Sequence, residues 1–335
     1  MTVLPTDKPI ALDICCRKGG ATVGLQRAGF YVIGVDIDPQ PGYPGDEFYQ
    51  VDGIEILKNL LTPYGSYSLD LIAKRPDLIW QSWPCQEGNT ATAGNRARGI
   101  VDTHEQFIPR ARELSDRLGI PYVLEQPTSS RRGLIRRDLT LCMDMFKRDL
   151  PPPWVQKHRS FELHGFVVPQ PEHPAGPVRG GSMAGFPKPA GHAGYVRGHR
   201  HGIVRGGDEA PYVAGYGDGG GKATAGEIAH AMGIDWMIAP GPKTKAQEKA
   251  ERFDLCEAIP PVFAEHIGRS FLSSRCSYVD GYGFCGKQTA YLPHADGGAG
   301  WGWRHVDADF DQMCHCVEQG YPGPHPRSEG CAGAR

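Results

Sequence analysis

The chain lacks any long apolar segment. Among its 335 residues no run approaches the roughly 18 apolar residues that a membrane-spanning helix needs. The start of the chain, Met1-Thr2-Val3-Leu4-Pro5, has no apolar core of the kind that a signal peptide carries. These two absences predict a protein that has no membrane partner and stays in the cytoplasm.

An excess of charge of one sign is also missing. Lys and Arg together number 36 and Asp and Glu 38, so the formal net charge is -2. A chain this close to neutral is not a general binder of polyanions, and any contact with nucleic acid must come from a local basic surface. A complete phosphate-binding loop is absent too, because Tyr216 and Ala223 flank Gly219-Gly220-Gly221-Lys222 where that loop requires Gly and Ser or Thr.

The chain has enough apolar residues, 40% of the total, for a sizeable core. Over residues 1–150 strand-like segments alternate with helix-like ones such as 107–118, and this order predicts a mostly parallel sheet with helices on both faces. Further along, residues 227–232 and 253–271 are predicted to be helical, with an exposed connection between them over 239–252, whose charged part is 243–252. We therefore expect one large α/β domain and a smaller second lobe.

A thiol and a carboxylate follow two successive strand-like segments. Trp83-Pro84-Cys85-Gln86 comes directly after an apolar run, and Glu125 lies forty residues further on in Tyr122-Val123-Leu124-Glu125-Gln126-Pro127. A free Cys is most often a small buried hydrophobe. Beside a turn fixed by proline, however, its sulfur is held on rigid backbone, and a nearby acid can supply a proton. The pattern indicates covalent catalysis on an electron-poor ring.

A nucleoside-binding unit precedes these segments. Residues 11–25 indicate a strand, a glycine-containing turn and a helix, and residues 31–38 a second strand that ends in Asp36 and Asp38. Glycine lets such a turn approach a ligand closely, and an acid after the second strand can accept hydrogen bonds from two ribose hydroxyls. By themselves, Asp36 and the later Asp52 are equally typical of acids that cap the next helix.

In this order the segments resemble the DNA cytosine carbon-5 methyltransferases, most closely their compact phage-type members, over roughly residues 9 to 272. The resemblance implies a Rossmann-like S-adenosylmethionine-dependent methyltransferase fold with a small target-recognition lobe. It also implies S-adenosylmethionine as cofactor, double-stranded DNA as partner, a flipped cytosine as substrate and a monomeric enzyme. The implied divisions are a catalytic and cofactor-binding domain at 1–164, a target-recognition region at 165–226, a return to the catalytic domain at 227–272 and a tail at 273–335.

The resemblance also assigns roles to single residues. Cys85 becomes the nucleophile, Glu125 the acid, and Arg159 the arginine near the base, with Asp36 on the ribose and Asp52 on the adenine. The implied cofactor site consists of Asp13, Ile14, Cys15, Arg17, Lys18, Gly19, Gly20, Asp36, Ile37, Asp52, Gly53, Pro84, Glu257 and Ala258. The last two belong to a closing motif, residues 257–265, whose helix returns to the cofactor pocket.

A change of composition marks the implied target-recognition region. From Gly165 to Gly226 the chain is rich in Gly and Pro, and its charge is basic and rich in His. Such a composition suits loops that reach a DNA groove and its phosphates, and a flexible insertion is the alternative. The predicted DNA contacts are Gln86, Lys157, Arg197, Arg200 and Arg205.

The first cofactor motif implied by the resemblance, residues 13–20, departs from the family pattern at Arg17 and Lys18, where small residues or glycine are expected. Two cations beside the methionine end of the cofactor require an anionic partner, and Glu257 is one candidate. Another is a carboxylate on the cofactor: carboxy-S-adenosylmethionine would give 5-carboxymethylcytosine. Ordinary methyl transfer stays open beside it, as do an inactive DNA-binding relative and a methyltransferase that acts on RNA or a nucleotide.

The last sixty residues are rich in Cys and His. A zinc site in this tail is conceivable from Cys276, Cys285, Cys314 and Cys316, because thiolate ligands suit zinc. The spacing is not that of a familiar zinc knuckle, and Cys314-His315-Cys316 is tighter than the usual gap of two residues. Uncoordinated thiols are the favoured interpretation, and no metal is predicted at the active site.

Overall fold

The computed structural model describes residues 8–62, 75–85, 106–128, 130, 133–149, 154–155, 157–173 and 224–274. It also gives the backbone of short strands at 178–179, 199–203, 209–213, 279–280, 283–284, 289–293 and 301–305. In the part of the chain described here, no helix has both the length and the apolar character needed to cross a membrane.

A seven-stranded sheet forms the centre of the molecule. The first eight strands are β1 (Ile10–Ile14), β2 (Tyr31–Asp36), β3 (Glu47–Gln50), β4 (Leu78–Gln81), β5 (Tyr122–Pro127), β6 (Leu139–Cys142), β7 (Trp154–Val155) and β8 (His158–His164). All but β7 belong to this sheet, in the order β3-β2-β1-β4-β5-β8-β6. Strand β8 pairs antiparallel with both β5 and β6, so it runs opposite to the other six strands.

Helices cover both faces of the sheet. They are α1 (Gly20–Ala28), α2 (Gly53–Leu61), α3 (Phe107–Leu118), α4 (Ala225–Met232), α5 (Lys245–Glu257) and α6 (Pro261–Ser273). One apolar cluster joins the sheet to α1, α4 and α6, and a second joins it to α2 and α3. Strands β1, β4 and β5 are buried on both faces because each face meets a helix layer. The predicted Rossmann-like α/β fold is confirmed.

The return of the chain to the first half of the fold depends on small residues. A Cβ at Gly24 of α1 would lie 2.1 Å from the carbonyl oxygen of Pro261, and one at Gly268 of α6 would lie 2.9 Å from Ala28 Cβ. Helices α1 and α6 therefore pack in direct backbone contact. This contact places the closing segment between α5 and α6 beside the turn that follows β1.

The predicted boundaries of the last helices are wrong. Residues 243–252 do not form an exposed connection, because α5 begins at Lys245, and the predicted helix over 253–271 is interrupted before Pro261. Thr244 starts α5 with a capping box to Gln247. Among the residues of α5 only Leu255 is fully buried, so the helix has little of the apolar periodicity from which helices are recognised.

A second, smaller sheet has the order β7-β11-β10-β9, where β9 is Val178–Arg179, β10 is His199–Ile203 and β11 is Glu209–Val213. The predicted target-recognition region therefore contains strands despite its Gly and Pro content. The tail contributes two hairpins, β12 (Val279–Asp280) with β13 (Gly283–Phe284) and β14 (Thr289–Pro293) with β15 (Trp301–His305). The four cysteines of the conceivable tail zinc site lie outside the described residues. The domain boundaries stay a prediction.

Candidate active site

The predicted site residues gather at one edge of the sheet. Parallel strands β1, β2, β4 and β5 all end there, and ligands bind at this edge in open α/β sheets. Cys85 follows β4 by four residues, Glu125 lies in the second half of β5, and Arg159 enters from the start of the reversed strand β8. The structure brings these three predicted catalytic residues together.

Strand register places Arg159 next to Glu125. Pro127 of β5 pairs with Arg159 of β8, and Glu125 pairs with Phe161. Residues two apart on a strand share a face, so the side chains of Glu125 and Arg159 meet. Their ion pair joins Arg159 Nε to Glu125 Oε1 over 2.7 Å, although Oε1 makes no hydrogen bond of good angular geometry in the described structure.

Burial controls the acidity of Glu125. The residue is 6% exposed, and this burial raises the pKa of the carboxyl above its usual value. The positive charges of Arg159 and Lys157 act in the opposite direction without cancelling the effect of burial. A carboxyl group with a raised pKa retains its proton more readily and can act as a general acid.

The guanidinium of Arg159 is held by main-chain carbonyl groups. Nη1 donates to His158 O over 3.2 Å, and Nη2 donates to Glu257 O over 3.2 Å and to Cys256 O over 3.4 Å. The last two carbonyls belong to the final turn of α5, where the helix dipole favours a cation. The end of α5 therefore orients Arg159 toward Glu125.

Cys85 is half-buried on a turn that a neighbouring strand holds in place. Burial, and secondarily the charge of Glu125, raises the pKa of the Cys85 thiol, whereas Arg159 lowers it. Gln126 Nε2 donates to the carbonyl of Trp83 over 2.8 Å, and Gln126 Oε1 accepts from Ser130 Oγ over 3.2 Å. Sequence analysis assigned no role to Gln126, so its part in holding the segment that carries Cys85 was missed.

The indole of Trp83, two residues before Cys85, is buried against α2 and α3. Its Nε1 donates to Gln81 Oε1 over 2.9 Å, and its ring stacks on Phe107 with centroids 5.6 Å apart. A Cβ at Gly53 would lie 2.8 Å from this ring and 2.5 Å from Ile14 Cγ2. The packing of Trp83 accounts for glycine at position 53, which the resemblance placed in the cofactor site.

Asp13 carries an unsatisfied oxygen near the first turn. Its carboxyl is fully buried, and Oδ2 accepts a 2.6 Å hydrogen bond from Thr22 Oγ1, while Oδ1 has no hydrogen-bond partner in the described structure. Burial raises the pKa of Asp13 from 3.8 to about 7. An orphaned carboxylate oxygen at this position suits a cationic or hydrogen-bond-donating ligand group.

The turn after β1 has the backbone shape that the family's glycines would allow. Cys15 has a φ of 58° and Arg17 a φ of 47°, both in the left-handed region that favours glycine. The amide of Arg17 donates to Asp36 Oδ2 over 2.9 Å, which helps to hold this conformation. A Cβ at Gly20 would lie 2.2 Å from the carbonyl oxygen of Ile259, so glycine there lets the closing segment approach the turn.

The acids predicted to bind the nucleoside also accept hydrogen bonds from main-chain amides. Asp36 accepts hydrogen bonds from the amides of Arg17 and Asp38, and Asp52 caps α2 through Oδ1, which accepts from Ile54 N and Glu55 N. Asp52 Oδ2 has no hydrogen-bond partner among the described residues. Ile37 follows Asp36 with 65% of its surface exposed, which leaves an apolar face open at the end of β2.

Arg17 and Lys18 find their anionic partners on α5. Arg17 Nη2 lies 3.3 Å from Asp254 Oδ1 and 3.3 Å from Glu257 Oε2, and Lys18 Nζ lies 2.8 Å from Asp254 Oδ2. At the C-terminal end of α5, the amide of Ala258 donates a hydrogen bond to the carbonyl oxygen of Asp254 over 3.0 Å. Protein carboxylates therefore balance both cations, as proposed for Glu257. Sequence analysis did not predict Asp254 as a partner of these cations.

Of the residues predicted to contact DNA, the structure describes the side chain of Lys157 alone. Lys157 is only 3% exposed, and its ammonium group donates to Leu255 O over 3.1 Å and to Cys256 O over 2.8 Å. This position gives Lys157 a structural role at the end of α5 and leaves its predicted DNA contact without support. Arg200 lies on β10, of which only the backbone is described, and Gln86, Arg197 and Arg205 lie outside the described residues.

The sequence matches no protein-family model and no curated protein. Among solved structures, the chain is similar to a prophage-encoded protein of E. coli that is provisionally assigned as a DNA modification methyltransferase. The two share 14% sequence identity with a TM-score of 0.43, and the alignment covers 78% of this chain and 98% of that chain.

Proposed function

We propose that this protein is an S-adenosylmethionine-dependent DNA cytosine carbon-5 methyltransferase with Cys85 as its nucleophile. The observation that carries the proposal is the convergence of Cys85, Glu125 and Arg159 at the carboxyl edge of the sheet. A thiol, a carboxyl group with a raised pKa and a buried guanidinium are the groups that nucleophilic addition to a cytosine ring requires.

The residues around the first turn fit the proposed cofactor. Asp13 Oδ1 is a buried acceptor without a partner, suited to the amino group of the methionine moiety. Asp36 stands at the end of β2, where an acid can accept hydrogen bonds from ribose hydroxyls, and the exposed side chain of Ile37 offers an apolar surface for the adenine. Asp52 Oδ2 can accept from the adenine amino group. When bound, the cofactor supplies an electrophilic methyl group.

Cytosine is poorly nucleophilic at carbon 5 and its reactive edge is buried in the duplex, so the base must first be flipped out. The thiolate of Cys85 then adds to carbon 6, while Glu125 delivers a proton to ring nitrogen 3. The ring thereby becomes a neutral enamine with electron density at carbon 5. Arg159 holds the exocyclic oxygen, and its charge favours the Cys85 thiolate. After transfer, the carbon 5 proton is lost to a water molecule acting as base, and the electron pair of that bond breaks the bond between carbon 6 and sulfur, which releases the Cys85 thiolate. Ring nitrogen 3 returns its proton to Glu125.

We further propose that the transferred group is methyl and not carboxymethyl. Asp254 and Glu257 neutralise Arg17 and Lys18, so these cations need no carboxylate from the cofactor. A carboxylate on the transferred carbon would have to compete with both acids. DNA contacts are proposed to come from the basic residues of the target-recognition region, including Arg197, Arg200 and Arg205.

The test is mass spectrometry of nucleosides from DNA and RNA of a host that expresses the wild-type protein or Cys85→Ser. We expect 5-methylcytosine in DNA from the wild type only. In vitro, both cofactors are supplied together to the wild type and to Arg17→Gly combined with Lys18→Ala, and both proteins should make 5-methylcytosine. A carboxymethylated product would overturn methyl as the transferred group. Modification of RNA alone would overturn DNA as the substrate. Nucleic acid without any modification would overturn the proposed enzymatic function.

A further inference from the structure

One cysteine and two histidines meet outside the set of residues assigned to transfer. Cys142 is the last residue of β6 and His158 the first of β8, and the antiparallel register pairs them directly. His173 comes from the segment 166–173 that follows β8. Cys142 Sγ and one ring nitrogen of each histidine all lie within 4.8 Å of one another.

The position of His173 follows from two hydrogen bonds that attach Gln170 to the edge strand β6. In the seven-stranded sheet β6 pairs only with β8, and the amide side chain of Gln170 binds its free edge. Gln170 Oε1 accepts from Thr140 N over 3.1 Å, and Gln170 Nε2 donates to Thr140 O over 2.8 Å. Three residues later, His173 reaches the end of β6 and stacks on His158 with the ring planes 8° apart.

We propose that Cys142, His158 and His173 bind a zinc ion. One thiolate and two imidazoles are ligands that zinc prefers, whereas magnesium and calcium favour oxygen ligands. In a tetrahedral zinc site these ligand atoms are about 3.3 to 3.6 Å apart, given bonds of about 2.0 to 2.3 Å. Both histidines are exposed, so small rotations of their rings can close the remaining distance while buried Cys142 stays fixed. The fourth position is left for water.

The proposed ion would join two parts of the chain that matter for the site. His158 immediately precedes Arg159, and its carbonyl accepts the hydrogen bond from Arg159 Nη1. His173 lies in residues 166–173, which open the predicted target-recognition region of residues 165–226. Zinc would fasten residues 166–173 to β6 and β8 and hold both the start of β8 and the entry to that region. This role is structural and does not depend on the transfer chemistry.

The experiment is a titration of the reduced, full-length protein with cobalt(II), a spectroscopic substitute for zinc. We expect a sulfur-to-cobalt charge-transfer band and the visible bands of tetrahedral cobalt, both removed by zinc. His173→Gln should weaken cobalt binding by at least about tenfold, and zinc should raise the Tm of the wild type more than that of this variant. Cys142→Ser should lose the charge-transfer band, and His173→Gln tests the site even if burial of the serine impairs folding.

Two controls separate this site from other ligands in the chain. His230→Gln changes another exposed histidine on α4 and should bind cobalt like the wild type. The double variant Cys314→Ser, Cys316→Ser removes two thiols of the tail and should retain the band. The proposal is overturned if His173→Gln binds cobalt as tightly as the wild type, or if the tail variant loses the band altogether. Neither readout requires methyl transfer.

Discussion

Arg159 Nε lies 2.7 Å from Glu125 Oε1, and the two residues occupy adjacent strands that run in opposite directions. The ion pair favours the carboxylate, yet burial raises the pKa of Glu125. Arg159 also lowers the pKa of Cys85, while Glu125 raises it. The nucleophile and the acid are therefore coupled through one guanidinium, and changes at any of the three residues are expected to affect the others.

Replacement of Glu125 by Gln tests the proposed acid. The amide keeps the shape of the side chain but has no titratable proton, so turnover should fall by at least about a hundredfold, the usual contribution of general acid catalysis. DNA affinity, measured by fluorescence anisotropy, should change little. Turnover close to that of the wild type would mean that another group protonates the ring.

The pH dependence of Cys85 alkylation tests the electrostatic coupling. Because burial and Glu125 raise the pKa of the thiol, the alkylation rate of the Cys85 peptide should reach its midpoint above the value of about 8.5 for a free cysteine. Glu125→Gln removes a negative charge and should move the midpoint to lower pH. Arg159→Gln removes a positive charge and should move it to higher pH. Unchanged midpoints in both variants would contradict the coupling.

Gln126 is predicted to act as a positioning residue. Gln126→Leu leaves the carbonyl of Trp83 without its 2.8 Å hydrogen bond and loosens the turn that carries Cys85. Since a displacement of about 1 Å can reduce turnover about a hundredfold, kcat should fall by roughly ten- to a hundredfold. Cofactor affinity, measured by calorimetry, should not change. Ser130→Ala removes the 3.2 Å hydrogen bond to Gln126 Oε1 but leaves the bond from Gln126 to Trp83 O intact, so it is the matched control and should lose much less. Equal losses in both variants would argue against the positioning role.

Asp13 should make stability depend on pH. Its pKa is about 7 in the folded protein and near 3.8 when unfolded, so its contribution to stability is fully present below about pH 4 and lost as pH rises to about 7. At about 1.4 kcal/mol for each pH unit, the loss is on the order of 4 kcal/mol.

Asp13→Asn removes this dependence. The free energy of unfolding of the variant, minus that of the wild type, should increase between about pH 4 and pH 7 and then level off. Urea denaturation across this range measures it. Thr22→Val should extend the rise to higher pH, because the Thr22 hydroxyl stabilises the Asp13 carboxylate. A difference that does not vary with pH would show that Asp13 is ionised throughout.

The order of motifs was enough to predict that Cys85 and Glu125 lie at the same edge of the sheet. Cys85 and Glu125 each follow or end an apolar strand, and parallel strands bring such positions together. The left-handed φ of Arg17 likewise agrees with the glycine expected there. These features depend on local sequence, and local sequence was sufficient to find them.

Features that depend on distant contacts could not be predicted in this way. Asp254 pairs with Arg17 across 237 positions of the chain, and no local pattern indicates that pairing. A lysine side chain is usually exposed, yet the amine of Lys157 is buried because it donates to carbonyl groups at the end of α5. The first part of helix α5, residues 245–252, was missed because its exposed charged face hides the helical period.

The measurement that tests the central claim most directly is covalent trapping on a long DNA duplex in which every cytosine carries a 5-fluoro substituent. Fluorine cannot leave as a proton does, so the enzyme should remain attached through Cys85 after transfer. We expect a denaturation-resistant complex that requires S-adenosylmethionine, a peptide adduct mapped to Cys85 by mass spectrometry, and no complex with Cys85→Ser. Methylated cytosine on ordinary DNA without any adduct on the fluorinated duplex, or an adduct at another residue, would contradict the assignment of Cys85 as the nucleophile.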